Sequence, residues 1–342
     1  MNCDYRSPSH ETGVITLEEA FKGYIQRQGV NAEDIAAAMA AIRKMEAFIK
    51  GRGRSLEQSE LGDLKDYLNI LICDRENSPA TLAALSRYCA FAGRNEFAIY
   101  LMPLAGVPDI YRRLSARVAA MAGSEVHEGV FDDVLVPARG SPPEHYPPVT
   151  GAIVSRLERL LDPSACRSVL AGNMHGIPAE AFMEMKQRFR ASSGLDEFLD
   201  DEHRRKIENL EAHMKQGRLF YEQEITPRVL DWVKSNKEVM SGERSGDRIC
   251  VTKIPFVPDD YLRATDPVMK RYYACHCPLA REALLSHGTM ISPVWCYCSA
   301  GFAKLKYDVI FEQETEAELL ETPFRGDLRC RFAIVIPSGV RF

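Results

Sequence analysis

The chain has 342 residues, more than one typical domain, and carries 43 Lys and Arg against 48 Asp and Glu for a net charge of −5. That slightly acidic balance supplies no general field for nucleic acid, so nucleic-acid binding is not expected. No apolar run approaches a membrane span and the first ten residues lack a signal-peptide core, so the expectation is a cytoplasmic protein without membrane association.

Ten cysteines in such a chain point to core residues, metal ligands or reactive thiols before a disulfide framework. Cys3, Cys73, Cys89, Cys166 and Cys250 are scattered, and packing is their default role.

Residues 1–14 are polar and rich in turn formers, the pattern of a disordered tail. An all-helical domain is predicted over 15–136. Thr16 with Glu19, and Ser55 with Gln58, have capping-box spacing and predict two helix starts. Between them Ile35, Met39, Ile42, Met45 and Ile49 recur at helical spacing until Gly51-Arg52-Gly53 stops the pattern. Ser78-Pro79 predicts another start, Asn95 a cap for a helix that Pro103 limits, and 108–122 a further helix. Helices around Tyr67 and Tyr88 resemble the DNA-clasping domain of tyrosine recombinases. The Arg, His and Tyr set of that family has no counterpart downstream, so a scaffold or homo-oligomer contact is the expected role of this half.

Residues 137–149 hold five prolines and predict a linker. The segment 150–342 is predicted to begin with helices over 150–161, 164–170, 180–191, 200–215 and from Thr226-Pro227 to about Met240. Its C-terminal α+β domain has a core over 246–338. Gly242 and Gly246 change the period, and Ile249, Val251 and Lys253 share one side of a strand from Arg248. Helices are predicted from Pro278 to Leu285 and from Ser299, the second with Phe302, Leu305, Val309 and Ile310 on one face. Strands over 316–322 and 328–336 close the chain as a hairpin around 324–327, with Leu328, Cys330, Phe332, Ile334 and Ile336 on one face. The fold class is therefore α+β, helices first and an antiparallel sheet last.

Five cysteines fall between Tyr272 and Cys330, including the pairs Cys275/Cys277 and Cys296/Cys298. Residues two apart on an extended chain point to the same side, so each pair is predicted to act as a pincer with His276 or Tyr297 turned away. Each pair also precedes a predicted helix start, where free amides favour thiolate over thiol. Four thiolates would hold zinc, a reactive thiol would use the same amides, and plain packing remains a third reading. Cys277 is the candidate nucleophile, with His276 or His175 to exchange protons, and Cys330, Trp295 and Tyr273 as pocket walls. Glu222 and Glu224 would share a face only if extended, and read as solvent-facing carboxylates. No phosphate-binding loop, dinucleotide fingerprint, Gly-x-Ser-x-Gly or His-Glu-x-x-His is present.

The ending Gly326-Asp-x-x-Cys330-x-Phe332-x-Ile334 resembles that of the 4-vinyl-reductase-type ligand-binding domain and of the L-2-amino-thiazoline-4-carboxylate hydrolase family. Glu222-Gln-Glu-Ile-Thr, Tyr272-Tyr-Ala-Cys-His-Cys-Pro and Cys296-Tyr-Cys-Ser-Ala-Gly-Phe are similar to an uncharacterised bacterial family. The resemblance implies an α+β domain holding a small molecule, in some relatives with a cysteine-bound zinc. Two functions follow as expectations: a small-molecule enzyme, hydrolytic in character, or a zinc-stiffened ligand sensor signalling through its N-terminal helices.

Overall fold

The computed structural model describes residues 16–286, 288 and 290–342. The expected tail over 1–14 and Cys3 lie outside the described residues. α1 (Leu17–Arg27) opens as predicted: the Glu19 amide donates to Thr16 Oγ1 at 3.2 Å, and the Glu19 carboxylate accepts from the Thr16 amide at 3.1 Å. α2 (Ala32–Gly51) buries all five of its periodic apolar residues, from Ile35 to Ile49. At Ser55 the expected helix start is only a turn. The Ser55 amide does donate to the Gln58 side chain at 3.2 Å, yet α3 (Leu61–Cys73) begins later, after a box made by Glu60 and Asp63.

α4 (Pro79–Phe91) starts at Ser78. α5 (Asn95–Phe131) departs from expectation, because it runs straight through Pro103 and Pro108 and breaks instead at Gly123, whose φ of 85° and ψ of 173° suit glycine alone. Each proline frees a carbonyl one turn back. The helix persists because Leu101, Leu104, Val107, Ile110, Tyr111 and Leu114 bury one continuous stripe.

The proline stretch forms a short 3₁₀ turn and then the first turn of α6 (Tyr146–Leu160), where Pro147 and Pro148 lose no helical bond. Gly140, Ser141, Pro143, Tyr146 and Pro147 are buried within it, and Tyr146 Oη donates to Ala138 O at 3.0 Å. α7 (Pro163–Leu170), α8 (Met183–Ala191), α9 (Leu195–Lys215) and α10 (Pro227–Lys234) follow. One apolar core extends from Phe21 in α1, through α6 and α7, to Trp295 and Cys298.

The sheet has the order β1-β2-β4-β3 and is antiparallel throughout: β1 (Glu243–Ser245), β2 (Arg248–Thr252), β3 (Ala317–Glu321) and β4 (Arg331–Val335). β1 was not predicted. It is an edge strand turned into β2 by Gly246 at φ 62°, as a two-residue hairpin loop requires. The β3–β4 hairpin matches expectation, except that Leu328 lies before the strand and is exposed, while Ala333 is buried on the opposite face from Phe332 and Ile334.

α11 (Pro258–Arg263) and α12 (Pro267–Ala274) connect β2 to the cysteine segment. Residues 278–285 make a turn and a 3₁₀ turn over Arg281–Leu284 in place of the predicted helix. α13 (Tyr297–Phe311) packs Tyr307 and Ile310 against Ile249, Val251 and Ile334, and Ala300 and Ala303 against Leu319 and Phe332. Its buried face is thus not the one predicted, and Phe302 is 41% exposed. Gly301 lets α13 approach the end of α7, since a Cβ there would stand 2.5 Å from Ala171 O.

Candidate functional site

The two cysteine pairs differ in backbone. Cys275 closes α12 at φ −81° and ψ 117°, and the chain through His276 and Cys277 leads irregularly into Pro278. Cys296 and Tyr297 are both right-handed helical, at φ −67°, ψ −9° and φ −61°, ψ −23°. Helical residues two apart point to nearly opposite sides, so the second pincer does not form. Cys298 packs into the helical core, whereas Cys296 joins Cys330 and Phe332 with its Sγ 2.9 Å from Thr322 Oγ1. Cys275, Cys277, Cys296 and Cys298, the set expected to hold zinc, are not drawn into one cluster: among the described residues no group of three or more His, Cys, Asp or Glu side chains is placed to hold a metal ion.

Cys277 stands apart from its neighbours. It is half-buried, while Cys275, Cys296, Cys298 and Cys330 are buried. Trp295 Nε1–H donates to its Sγ at 3.4 Å, while the Ala280 amide donates to the Cys277 carbonyl oxygen at 3.2 Å. Burial pushes the Cys277 thiol up, and the Trp295 donor, the nearby backbone amides and the Lys253 charge pull it back toward thiolate. The other thiols are pushed up by burial with less relief, Cys330 to about 11 and Cys298 to about 12. Cys275 rises well above the ordinary value for the same reason.

Lys253 is the charge at the centre of the cluster. Its amide donates to Cys330 O at 3.0 Å, extending the β2–β4 ladder by one residue, and its Nζ lies 5.2 Å from the centre of the Phe302 ring. Among the described residues Lys253 Nζ makes no hydrogen bond or ion pair. Nearby, the Arg281 guanidinium is stacked 3.9 Å from the Phe256 ring centre and 5.1 Å from that of Tyr272. Glu222 is half-buried and feels both cations, yet burial still pushes its carboxyl up.

His276 Nε2 bonds Ile254 O, which can only accept, so Nε2 carries the proton and Nδ1 is the free acceptor. Burial, with the Lys253 charge, holds its pKa well below the ordinary value and the ring neutral at pH 7. His175 meets the Phe302 ring edge-on at 5.0 Å. Packing around the ring, with Lys253 and Arg113, pushes His175 down to about 4, although its outer edge stays open to solvent. Tyr273 has no bond to the cluster through its side chain; Tyr272 faces it instead, with its hydroxyl on Glu282 at 2.9 Å. Two clefts, of ≈ 410 Å³ beside Gly172 and Lys304 and ≈ 500 Å³ beside Trp232 and Arg329, lie away from these sulfurs.

Residues 262–341 match a family of unknown function, DUF6144. No curated protein and no solved structure matches the chain. The likeness to the 4-vinyl-reductase-type domain and to the thiazoline carboxylate hydrolases finds no support in these matches; what is supported is a stretch of an uncharacterised family over 262–341.

The matched stretch carries all five clustered cysteines, His276, Arg281 and Trp295, and it stops short of Lys253, Glu222 and His175. Sequence reasoning passed over Lys253, Arg281 and Phe302. The signal for Lys253 was on the page: a lysine in register with Ile249 and Val251, on the side of a strand that faces a helix.

Proposed function

We propose that this chain is a cytoplasmic small-molecule enzyme whose nucleophile is the Cys277 thiolate, and that its chemistry is hydrolytic. One observation carries the reading: the Trp295 indole N–H donates to the sulfur of the one clustered cysteine that is half-buried rather than buried. Charge-assisted donors of this kind favour the thiolate, which is the reactive form. In the proposed reaction the sulfur adds to a carbonyl carbon, the bond from that carbon to the leaving group breaks, and the leaving group takes a proton from solvent. Water then releases the acyl group, and the thiolate is restored. His276 is the nearest base by sequence, its ring neutral and its Nδ1 the acceptor nitrogen.

Brief alkylation of the native protein, read residue by residue by mass spectrometry, tests this. Cys277 should react faster than the more exposed Cys73 and well ahead of Cys298 and Cys330. A Cys277 that stays unmodified while Cys73 reacts would leave a packing or ligand-binding role and no nucleophile.

A further inference from the structure

The cluster is unbalanced in charge. Lys253 and Arg281 bring two cations to one place and Glu282 pairs with Arg281, so Lys253 is left over: His276 is neutral, the Cys298 and Cys330 thiols are held neutral by burial, and the carboxyl of Glu222 is pushed up and stands beyond ion-pair distance of either cation. Arg281 is fixed by two rings and reaches Glu282 at 3.4 Å. Lys253 has only the Phe302 face among the described residues. An ammonium half-removed from water and without a bonded anion favours an anionic ligand. Its backbone is bonded to Cys330, and the carbonyl of the next residue, Ile254, accepts from His276, so Lys253 is held beside the segment that carries Cys277. Phe302 supplies a flat apolar wall between Lys253 and His175.

We propose that Lys253 anchors the carboxylate of a small anionic substrate and so presents its reactive carbon to Cys277 Sγ. This rests on the reading of Cys277 as nucleophile and adds the class of molecule it attacks.

Two alkylating probes of the same reacting carbon decide it, iodoacetate and iodoacetamide. In each the sulfur bonds to the methylene carbon, the carbon–iodine bond breaks and iodide leaves, so the reagents differ only in the carboxylate. At Cys277 the ratio of iodoacetate to iodoacetamide rates should exceed that of an uncharged cysteine peptide by about tenfold. The excess should shrink with added salt. Lys253→Met should bring the ratio to the peptide value and Lys253→Arg should keep most of it, while circular dichroism confirms both variants fold. A wild-type ratio no higher than that of the peptide overturns the anchor even if no variant folds, and it leaves the nucleophile standing. Iodoacetamide failing to label Cys277 at all overturns both.

Discussion

At the scale of single residues, Trp295 is the side chain whose removal separates packing from chemistry. Its indole is 1% exposed and donates to Cys277 Sγ. Trp295→Phe keeps most of the volume and deletes that donor. Losing one hydrogen bond to a thiolate, worth about 1 kcal/mol, raises the Cys277 pKa, and alkylation at pH 7 should slow severalfold. The pH profile of the rate should move upward, and stability should fall by about 1–3 kcal/mol from the space left. An unshifted profile would mean the indole only fills space. Cys277, His276 and Trp295 were legible in sequence because a cysteine before a proline and beside an aromatic is a local pattern. Lys253, Glu222 and Arg281 were not: what matters about the first two is the ion-pair partner each lacks, and about Arg281 the rings of Phe256 and Tyr272 that hold it, all of which depends on folding residues 222 to 281 together.

Elements read well where the cap and the buried stripe agree, as in α2 and α4, and poorly where short motifs allow two geometries. Cys296-Tyr-Cys298 is compatible with strand or helix. Ser292-Pro293 just ahead of it, a helix-start pair like Ser78-Pro79, was the signal that decides for helix and turns the two sulfurs apart. The prolines of α5 misled for the opposite reason, since tertiary burial outweighed a local penalty. Two variants probe element contacts. Gly301→Ala must push α13 off the Ala171 carbonyl and should cost about 1–3 kcal/mol in urea unfolding; an unchanged midpoint would mean the two helices have slack to give. Glu238 ties β2 to β4, accepting from Thr252 Oγ1 at 2.5 Å and from Arg331 Nε at 2.6 Å. Burial alone would raise its pKa, but these partners hold it below the ordinary carboxylate value. A depressed folded pKa gives stability that is present above the unfolded value near ~4.3 and is lost as pH falls through the folded one. Glu238→Gln should therefore lower stability at pH 7 by about 2 kcal/mol, and its deficit should narrow below pH 4. A deficit constant with pH would show that the charge of Glu238 contributes nothing.

On the scale of the whole molecule, the sheet is small and the helices do not stop where it begins. A four-stranded sheet with a three-residue edge strand buries little by itself. Its stability comes through α13, which touches the sheet with Tyr307 and Ala303 and the helical core with Cys298. The fold class was legible because periodicity changes from helical to alternating near Gly246, whereas this shared core was not, since no pattern in the sequence shows that Trp295 will pack beside Tyr111, with ring centres 6.4 Å apart. Trp295 thus reports on the helical body while lying in the cysteine segment. With Trp232 changed to Phe, the remaining indole fluorescence should be lost at the same denaturant concentration as the far-ultraviolet helical signal, because one continuous core unfolds as a unit. A fluorescence transition at clearly lower denaturant would mean that the segment from Leu279 to Cys298 detaches first. The Trp295 donor to Cys277 would then be held by a weaker unit than the helices beneath it, and alkylation of Cys277 would follow that early transition.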